Sequence, residues 1–351
     1  MKRNSSFQLG FTLMLSVLLG GILLVGCGGS SGGSSGSSSS GGSSASGATS
    51  CANPPKLTKS TGLKVGFSQN ISNSPWRLAE NKSMQDGAKA AGDTFVMTDA
   101  GGQDSKQVSD IQSLISQKVD VLIIAPLTET GEVSAILAAK KACIPVFLVD
   151  RDADHSLAKP GQDYVTFVGS DFVKQAQLVA DTLIKATNGK GKIIELEGTS
   201  GATPAILRKQ GFDNEIKKYP GMQIVASQDA NFDRDTARQK MQTLLQAHPD
   251  VSIVYDANDE MAQGAIAALK AAGKTPGKDV LIGSIDGETA ALQSIIAGQQ
   301  LVSVTSNPRL GSLAYQAISD YAGGKTVPAW VVMQDQTYTN DNAQANLANG
   351  F

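Results

Sequence analysis

The chain has 351 residues, which is long enough for two domains that each bury a core of their own. Its charge is nearly balanced, with 30 lysines and arginines against 32 aspartates and glutamates, and this argues against nucleic acid as a partner because phosphate binding needs clustered positive charge. Only two histidines and three cysteines occur, and none has the spacing of a metal site. The composition therefore argues against a zinc enzyme and against acid–base catalysis by histidine.

The beginning of the chain has the composition of an export signal. Two basic residues precede an apolar run over 11–25, which is too short and too interrupted by glycine for a membrane-spanning helix. The run ends in Leu24-Val25-Gly26-Cys27, which resembles the lipobox of bacterial lipoproteins. That resemblance implies a signal peptide over 1–26 and a lipid on Cys27, and therefore an exported protein anchored to the cell membrane. The glycine- and serine-rich segment within 27–62 predicts a flexible tether.

Cys51 and Cys143 are the two remaining thiols. The surroundings of an exported protein permit disulfides. The sequence does not place the two residues near each other, so it leaves open whether they pair.

From residue 63 onward, short apolar runs alternate with segments of helical spacing. In the segment 77–91, for example, Leu78, Met84, Ala88 and Ala91 fit one helix face. Such alternation predicts α/β structure with parallel sheets, and ten strands exceed one ordinary sheet, so we expect two doubly wound lobes. The predicted strands are 64–68, 94–98, 121–125, 145–149, 165–169, 192–196, 223–227, 252–255, 280–284 and 301–305.

The strand predicted at 145–149 is uniformly apolar, which is typical of an inner strand buried on both faces. It ends in Asp150-Arg151-Asp152. Ligands bind outside the carboxyl ends of strands in open α/β sheets, which makes Asp150 and Arg151 candidate ligand contacts. Taken alone, charges at one strand end are equally typical of a solvated loop. Asp152 is interpreted as a residue of the solvated turn.

Polar or aromatic groups follow other predicted strands in the same topological position. Each by itself is typical of a helix cap or a solvated turn. Six together would line one crevice with aromatic rings, carboxylates and guanidinium groups. The stretches are Asn73-Ser74-Pro75-Trp76-Arg77, Asp150-Arg151, Glu197-Gly198-Thr199-Ser200-Gly201 with Arg208, Asn231-Phe232-Asp233-Arg234, Asp256-Ala257-Asn258-Asp259 and Asp286-Gly287.

This combination of groups suits a monosaccharide. Sugar hydroxyls both donate and accept hydrogen bonds, so they match carboxylates and the planar fork of arginine. The C–H faces of a sugar ring pack on aromatic side chains such as Trp76 or Phe232. A phosphate ligand would favour arginine without so many carboxylates. A free amino acid would also use a carboxylate and an arginine, and composition alone leaves it open.

Catalytic and cofactor motifs do not appear in the sequence. Gly324-Lys325-Thr326 lacks the earlier glycine of a phosphate-binding loop, and residues 198–201 do not fit the nucleophile motif Gly-x-Ser-x-Gly. A calcium-like start at Asp229 fails because Arg234 and Lys240 occupy the glycine and glutamate positions. The sequence therefore predicts a protein that is not an enzyme and holds no metal or cofactor.

Further segments extend the pattern over nearly the whole chain from residue 63. They include Val65-Gly66-Phe67-Ser68, Ser74-Pro75-Trp76-Arg77, Ala125-Pro126-Leu127-Thr128, Glu195-Leu196-Glu197-Gly198-Thr199-Ser200-Gly201-Ala202, Arg208-Lys209-Gln210-Gly211-Phe212 and Asn258-Asp259-Glu260-Met261. In order and spacing, these segments resemble the bacterial periplasmic sugar-binding proteins of the ribose-binding type. Within that family the chain most resembles the galactofuranose-binding member, because Trp-Arg stands at 76–77 where ribose binders have two aromatic residues.

The resemblance implies two lobes joined by a three-segment hinge, with the chain changing lobes near Ser170, Ser306 and Met333. The lobes would comprise 63–169 plus 306–332 and 170–305 plus 333–351. The implied ligand-binding residues are Trp76, Arg77, Asp150, Arg151, Thr199, Arg208, Phe232, Arg234, Asn258 and Asp286. Two positions depart from the ribose-type pattern, since Ser74 replaces the usual asparagine and Ser306 replaces the usual hinge glutamine. These departures argue against ribose itself.

The function implied by the resemblance is that of a lipid-anchored, monomeric receptor. It would deliver a monosaccharide, galactofuranose first, to the membrane permease of an ABC importer when the lobes close. Ribose, arabinose or another furanose sugar are alternative ligands, and a sensor for chemotaxis or signalling would use the same closure. A sugar-responsive repressor of this fold would carry an N-terminal helix-turn-helix instead of a signal and tether.

Overall fold

The computed structural model describes residues 51–351. The predicted signal peptide, the lipid site at Cys27 and the tether up to residue 50 lie outside these residues. Within the described range, no helix combines the length and the apolar character needed to cross a membrane.

The described chain alternates strands and helices. Its strands are β1 (Lys64–Gln69), β2 (Thr94–Asp99), β3 (Val121–Ile124), β4 (Val146–Val149), β5 (Thr166–Ser170), β6 (Gly191–Glu197), β7 (Met222–Asp229), β8 (Ile253–Asp256), β9 (Leu281–Asp286), β10 (Val302–Thr305), β11 (Trp330–Met333) and β12 (Thr337–Tyr338). Its helices are α1 (Pro75–Ala91), α2 (Asp104–Ser116), α3 (Val133–Lys141), α4 (Phe172–Thr187), α5 (Thr203–Ile216), α6 (Arg234–Ala247), α7 (Asp259–Ala271), α8 (Thr289–Ile296), α9 (Gly311–Ala322) and α10 (Ala343–Asn346).

The strands form two six-stranded sheets, in the orders β11-β5-β4-β3-β1-β2 and β12-β10-β9-β8-β6-β7. Pairing is parallel throughout the first sheet, and in the second only β12 runs antiparallel to its neighbour β10. The predicted fold of two doubly wound α/β lobes is therefore confirmed. All ten predicted strands are present with bounds within two residues, while β11 and β12 were not predicted.

The inner strands are buried on both faces, as their uniformly apolar sequences indicated. In β3, Val121 and Ile123 point into the cluster that packs under α1 and α9, whereas Leu122 and Ile124 point into the opposite cluster under α2 and α3. This two-sided burial fixes the register of the strands, and it directs their carboxyl ends to one edge of the sheet.

Helix α1 differs from the prediction in the face that it buries. Its buried residues Trp76, Glu80, Met84 and Ala88 recur every four positions, with Arg77 beside them. Leu78 lies two positions from Trp76, about 200° around the helix, and its side chain is 58% exposed. The predicted apolar face was therefore wrong for Leu78 and Ala91, because polar residues at the start of the helix are turned inward.

The chain passes three times between the two sheets. It leaves the first sheet after β5, and α4 packs on the second sheet. It returns after β10, since α9 packs against α1, and it crosses again between β11 and β12. Cys51 and Cys143 form a disulfide with their Cα atoms 5.4 Å apart, which answers the question that the sequence left open.

Candidate functional site

A cavity of about 130 Å³ lies between the two lobes, at the carboxyl ends of strands from both sheets. Residues of the first lobe that line it are Ile71, Asn73, Ser74, Trp76, Arg77, Gly102, Leu127, Asp150 and Arg151. The second lobe contributes Thr199, Pro204, Arg208, Asn231, Phe232, Asn258 and Asp286, and Ser306 joins them from a crossing segment. Nine of the ten predicted ligand-binding residues line this cavity, and Arg234 does not.

An ion-pair network forms the wall of the first lobe. Arg77 Nη1 lies 2.7 Å from Asp150 Oδ2 and donates a hydrogen bond of 2.9 Å to Glu80 Oε2. Arg151 Nη1 donates to the carbonyl oxygen of Leu127 at 2.6 Å, and its Nε lies 3.6 Å from Asp150 Oδ2. All of these side chains are buried. Within residues 51–351 the Nε of Arg151 is buried and has no hydrogen-bond partner.

Burial and charge shift the titration of this wall. Burial lowers the pKa of Arg151 to about 9, and the neighbouring Arg77 adds to the effect, although the group remains charged at neutral pH. Burial also works against the charge of Arg77, but Asp150 and Glu80 outweigh it and raise the pKa of Arg77 above its ordinary value. Burial raises the pKa of Glu80 to about 7. The first wall therefore places two guanidinium groups, those of Arg77 and Arg151, beside the carboxylate of Asp150.

Arg208 is the centre of the wall of the second lobe. Its Nη1 donates to the carbonyl oxygen of Ala257 at 2.6 Å, and its Nε donates to Gln175 Oε1 at 3.1 Å. Its Nη2 lies 3.4 Å from Asp286 Oδ1, a long contact for an ion pair. Burial raises the pKa of Asp286 well above its ordinary value despite the opposing charge of Arg208. Asp286 can therefore act as a donor or an acceptor toward a hydroxyl group.

Two aromatic rings complete the lining. The Phe232 ring lies between the two lobes, 5.8 Å from the guanidinium carbon of Arg151 and 5.9 Å from that of Arg208. Trp76 packs under the guanidinium of Arg77, 4.6 Å from ring centroid to Cζ, and donates from Nε1 to the carbonyl oxygen of Ser306 at 2.6 Å. These contacts fix the orientation of both rings.

Backbone conformation at the site is unusual. Asp150 (φ 59°), Asn231 (φ 58°), Phe232 (φ 54°) and Asp286 (φ 140°) all have positive φ angles, although none is glycine, and all four line the cavity. Such conformations cost about 1–3 kcal/mol each and persist only where the surrounding structure holds them. Strain concentrated in this way is typical of a functional site.

Arg234 is the one predicted ligand-binding residue that does not line the cavity. Arg234 begins α6 and makes a bidentate pair with Glu260, with Nε 2.9 Å from Oε2 and Nη2 2.6 Å from Oε1. The guanidinium is directed toward Glu260 at the start of α7.

Asp152 also differs from its interpretation as a solvated turn residue. Its backbone N–H donates to Thr203 Oγ1 at 3.1 Å, and the Thr203 hydroxyl donates to the Asp152 carbonyl oxygen at 3.1 Å. A further bond between the lobes joins the N–H of Glu129 to the carbonyl oxygen of Gly201 at 2.9 Å. These contacts close the rim of the cavity.

Eight lining residues were not among the ten predicted ligand contacts. Asn73, Ser74 and Asn231 belong to the polar stretches that the sequence predicted at the crevice, and Ser306 is the predicted hinge position. The others carry no polar signal: Ile71, Gly102, Leu127 and Pro204. Across residues 51–351, no set of three or more histidine, cysteine or acidic side chains is arranged to hold a metal ion.

Comparisons with known proteins agree with this architecture. The model of the periplasmic binding protein domain matches residues 65–326. The galactofuranose-binding protein YtfQ of Escherichia coli (strain K12) is 37% identical over 290 residues, covering 81% of this chain and 90% of that protein. The ribose import binding protein RbsB of Bacillus subtilis (strain 168) is 36% identical over 288 residues, covering 80% and 90%.

A solved structure gives the same result. The periplasmic binding protein component of the arabinose ABC transporter from Shewanella sp. ANA-3, bound to α- and β-L-arabinofuranose, superposes with a TM-score of 0.77 at 36% identity. The match covers 82% of this chain and 95% of that one. The chain therefore belongs to the periplasmic binding protein family, among the sugar-binding members with the type I fold.

Proposed function

We propose that this protein is a lipid-anchored receptor that binds a monosaccharide in its furanose form, galactofuranose first, and delivers it to the permease of an ABC importer. The observation that carries the proposal is the convergence of Asp150, Arg151, Arg208, Phe232 and Asp286 on one cavity between two lobes. Relatives named for galactofuranose and arabinofuranose at 36–37% identity support the furanose form.

The chemistry of the cavity supports a neutral, hydroxyl-rich ligand. Carboxylates and guanidinium groups on opposite walls provide acceptors and donors for hydroxyls on both sides of a ring. A volume of about 130 Å³ corresponds to roughly ten water-sized groups, which is the scale of one monosaccharide. The Trp76 and Phe232 rings supply apolar surface for the C–H faces of the sugar.

Transport would follow from closure of the lobes. We assign residues 63–169 plus 306–332 to one lobe and 170–305 plus 333–351 to the other. The ligand touches both walls only when the lobes are closed, so it shifts the population toward the closed form. Buried charges such as Arg151 need a partner in that form, and sugar hydroxyls supply part of it. The closed receptor, a monomer held to the membrane by a lipid on Cys27, would then dock on the permease.

A thermal-shift screen tests the ligand class. D-galactose (whose solutions contain the furanose form), galactofuranose, L-arabinose and D-ribose are added to the protein at increasing concentration. A ligand at about 100 times its Kd adds about 2.7 kcal/mol to the free energy of unfolding, so binding should raise Tm measurably. If none of the four sugars moves Tm, the sugar-binding proposal fails.

Variants of the first wall test the site. Asp150→Ala and Arg151→Ala should each abolish sugar binding while the protein stays folded, because Arg77 keeps its hydrogen bond to Glu80. Asp150→Asn is the companion variant, since asparagine tolerates the positive φ of this position. Arg238→Ala, which removes an exposed pair with Asp235, serves as the control with unchanged affinity. Wild-type affinity in Arg151→Ala by calorimetry would refute the assignment of the site.

A further inference from the structure

The three crossing segments between the lobes meet at one carboxylate, that of Asp335. Asp335 lies on the third crossing, between β11 and β12. Its Oδ1 accepts hydrogen bonds from Ser170 Oγ at the end of β5 and from Thr305 Oγ1 at the end of β10, both at 3.2 Å. One side chain therefore joins all three connections of the hinge.

Gln175 connects this hinge group to the cavity. Its Nε2 donates to Asp335 Oδ2 and to the carbonyl oxygen of Thr305, each at 3.0 Å. Its Oε1 accepts from Arg208 Nε at 3.1 Å. Gln175 is 1% exposed and does not line the cavity, so it has no direct contact with a bound ligand. The Nε2 of Gln175 is therefore bonded to the hinge, and its Oε1 is bonded to the guanidinium of Arg208 in the second wall.

We infer that Gln175 and Asp335 are positioning residues, which hold Arg208 in its ligand-binding orientation only when the three crossing segments have their closed geometry. The side-chain amide of Gln175 donates from Nε2 and accepts at Oε1. Rotation of the crossing segments would break the hydrogen bonds from Nε2 to Thr305 and Asp335 and would shift Oε1 relative to Arg208. The orientation of the second wall and the hinge angle then change together. This inference rests on the proposed closure about a sugar, and it adds the physical link between closure and affinity.

The electrostatic setting agrees with such a link. Arg208 is a charged group close to Asp335, and it is itself next to Asp286. The other neighbours, Ser170, Gln175 and Thr305, are neutral donors. Burial raises the pKa of Asp335 to about 6, and the hydrogen bonds of these donors oppose that rise. The hinge carboxylate is therefore sensitive to an added charge at position 175.

The decisive variant is Gln175→Glu. The introduced carboxylate keeps an acceptor for Arg208 Nε but faces Asp335 without a proton to donate. At pH 8 we expect a Kd for D-galactose or L-arabinose about tenfold weaker than wild type, which corresponds to about 1.4 kcal/mol. At pH 5 the two facing carboxyl groups share a proton, so the deficit should shrink toward zero. A role in folding alone would not produce this pH dependence of the ratio.

Gln175→Ala and Gln300→Ala form the matched pair. Gln300 is also buried, at 3% exposure, and its Nε2 donates to Ser284 Oγ and to the carbonyl oxygen of Val302, away from the hinge. Both variants should lower Tm, but only Gln175→Ala should weaken sugar binding by about tenfold. Equal affinities in the two variants, or a deficit of Gln175→Glu that persists at pH 5, would overturn the inference.

Amide hydrogen exchange, measured in the protein without sugar, tests the hinge link independently of the proposed sugar-binding function. In Gln175→Ala the amides of Ser306 and Gln336, which bond to Asp286 and to Thr305 across the crossings, should exchange faster than in Gln300→Ala. If the wild type binds no sugar of the panel, the proposed function fails while this measurement still decides the hinge link. If exchange at these amides is the same in the two variants, the hinge link fails whatever the sugar result.

Discussion

Gly198 should control the position of the aromatic ring in the cavity. It follows β6 directly, and a Cβ added there would lie 1.9 Å from Cζ, 2.2 Å from Cε1 and 2.4 Å from Cε2 of Phe232. Carbon atoms pack at about 3.5–4.0 Å, so in Gly198→Ala the tip of the ring must move by at least about 1.6 Å. The backbone of Phe232 has a positive φ and cannot easily follow. The ring therefore moves away from its present contacts with Arg151 and Arg208.

Movement of the Phe232 ring should weaken the free energy of sugar binding in two ways. Lost packing of the ring against a sugar accounts for about 1 kcal/mol. A misaligned hydrogen bond from either guanidinium accounts for about 1.5 kcal/mol more. The total of about 2.5 kcal/mol corresponds to a Kd about 60-fold weaker. Overpacking should also lower the free energy of unfolding by about 1–3 kcal/mol.

Calorimetric titration of Gly198→Ala with the best sugar of the panel measures this effect directly. Gly323→Ala is the matched control, because a Cβ there would make only ordinary contacts, 3.4 Å from the carbonyl oxygen of Ser319 and 3.6 Å from that of Asp320. Its Kd should equal that of the wild type. A Kd of Gly198→Ala within twofold of the wild type would show that the Phe232 ring does not contribute to binding as described.

Three further predictions concern stability and the limits of the site. Burial raises the pKa of Glu132 from 4.5 to about 8, so the ionised form of this side chain opposes folding. As pH rises from 5 to 8, the free energy of unfolding of the wild type should therefore fall by about 2–4 kcal/mol more than that of Glu132→Gln. Urea unfolding at the two pH values measures both changes. Equal slopes in the two proteins would contradict this. Cys51→Ser opens a link across 92 residues and should lower the free energy of unfolding by up to about 4–5 kcal/mol, a difference that reduction of the wild type with dithiothreitol should erase. Arg234→Ala should leave the Kd for sugar within twofold of the wild-type value. It should lower the free energy of unfolding by less than about 1 kcal/mol, because the ion pair with Glu260 is partly exposed. A larger loss of affinity would show that Arg234 belongs to the site.

The alternation of apolar runs and helical segments was sufficient to predict the fold. It failed at the edges of the sheets: β11 has only four residues, and although all four are apolar it was not predicted, and as an edge strand it leaves Trp330 and Val332 partly exposed. The two-residue β12 is too short to produce any pattern. The pairing of Cys51 with Cys143 depends on tertiary approach over a long separation, which no local signal carries.

The candidate site was predictable where a polar group follows a buried strand. Asp150 and Asp286 carry that signal, and both line the cavity. Arg234 has the same signal, but its guanidinium forms an ion pair with Glu260. Spacing along the chain does not show which of several possible partners an arginine binds. Ile71 and Leu127 line the cavity because of the way their loops fold over it. In the sequence, these two residues cannot be distinguished from apolar residues elsewhere in the chain.

The positive φ angles of Asp150, Asn231, Phe232 and Asp286 limit how this receptor could be redesigned for another ligand. Only glycine, asparagine and aspartate enter such conformations readily, and β-branched residues are largely excluded. A mutant library that varied these four codons fully would contain many members destabilised by backbone strain. Diversity placed instead at loop positions without this constraint, such as Asn73, Leu127 and Pro204, would change the shape of the cavity while the strained framework that holds its charges stays intact.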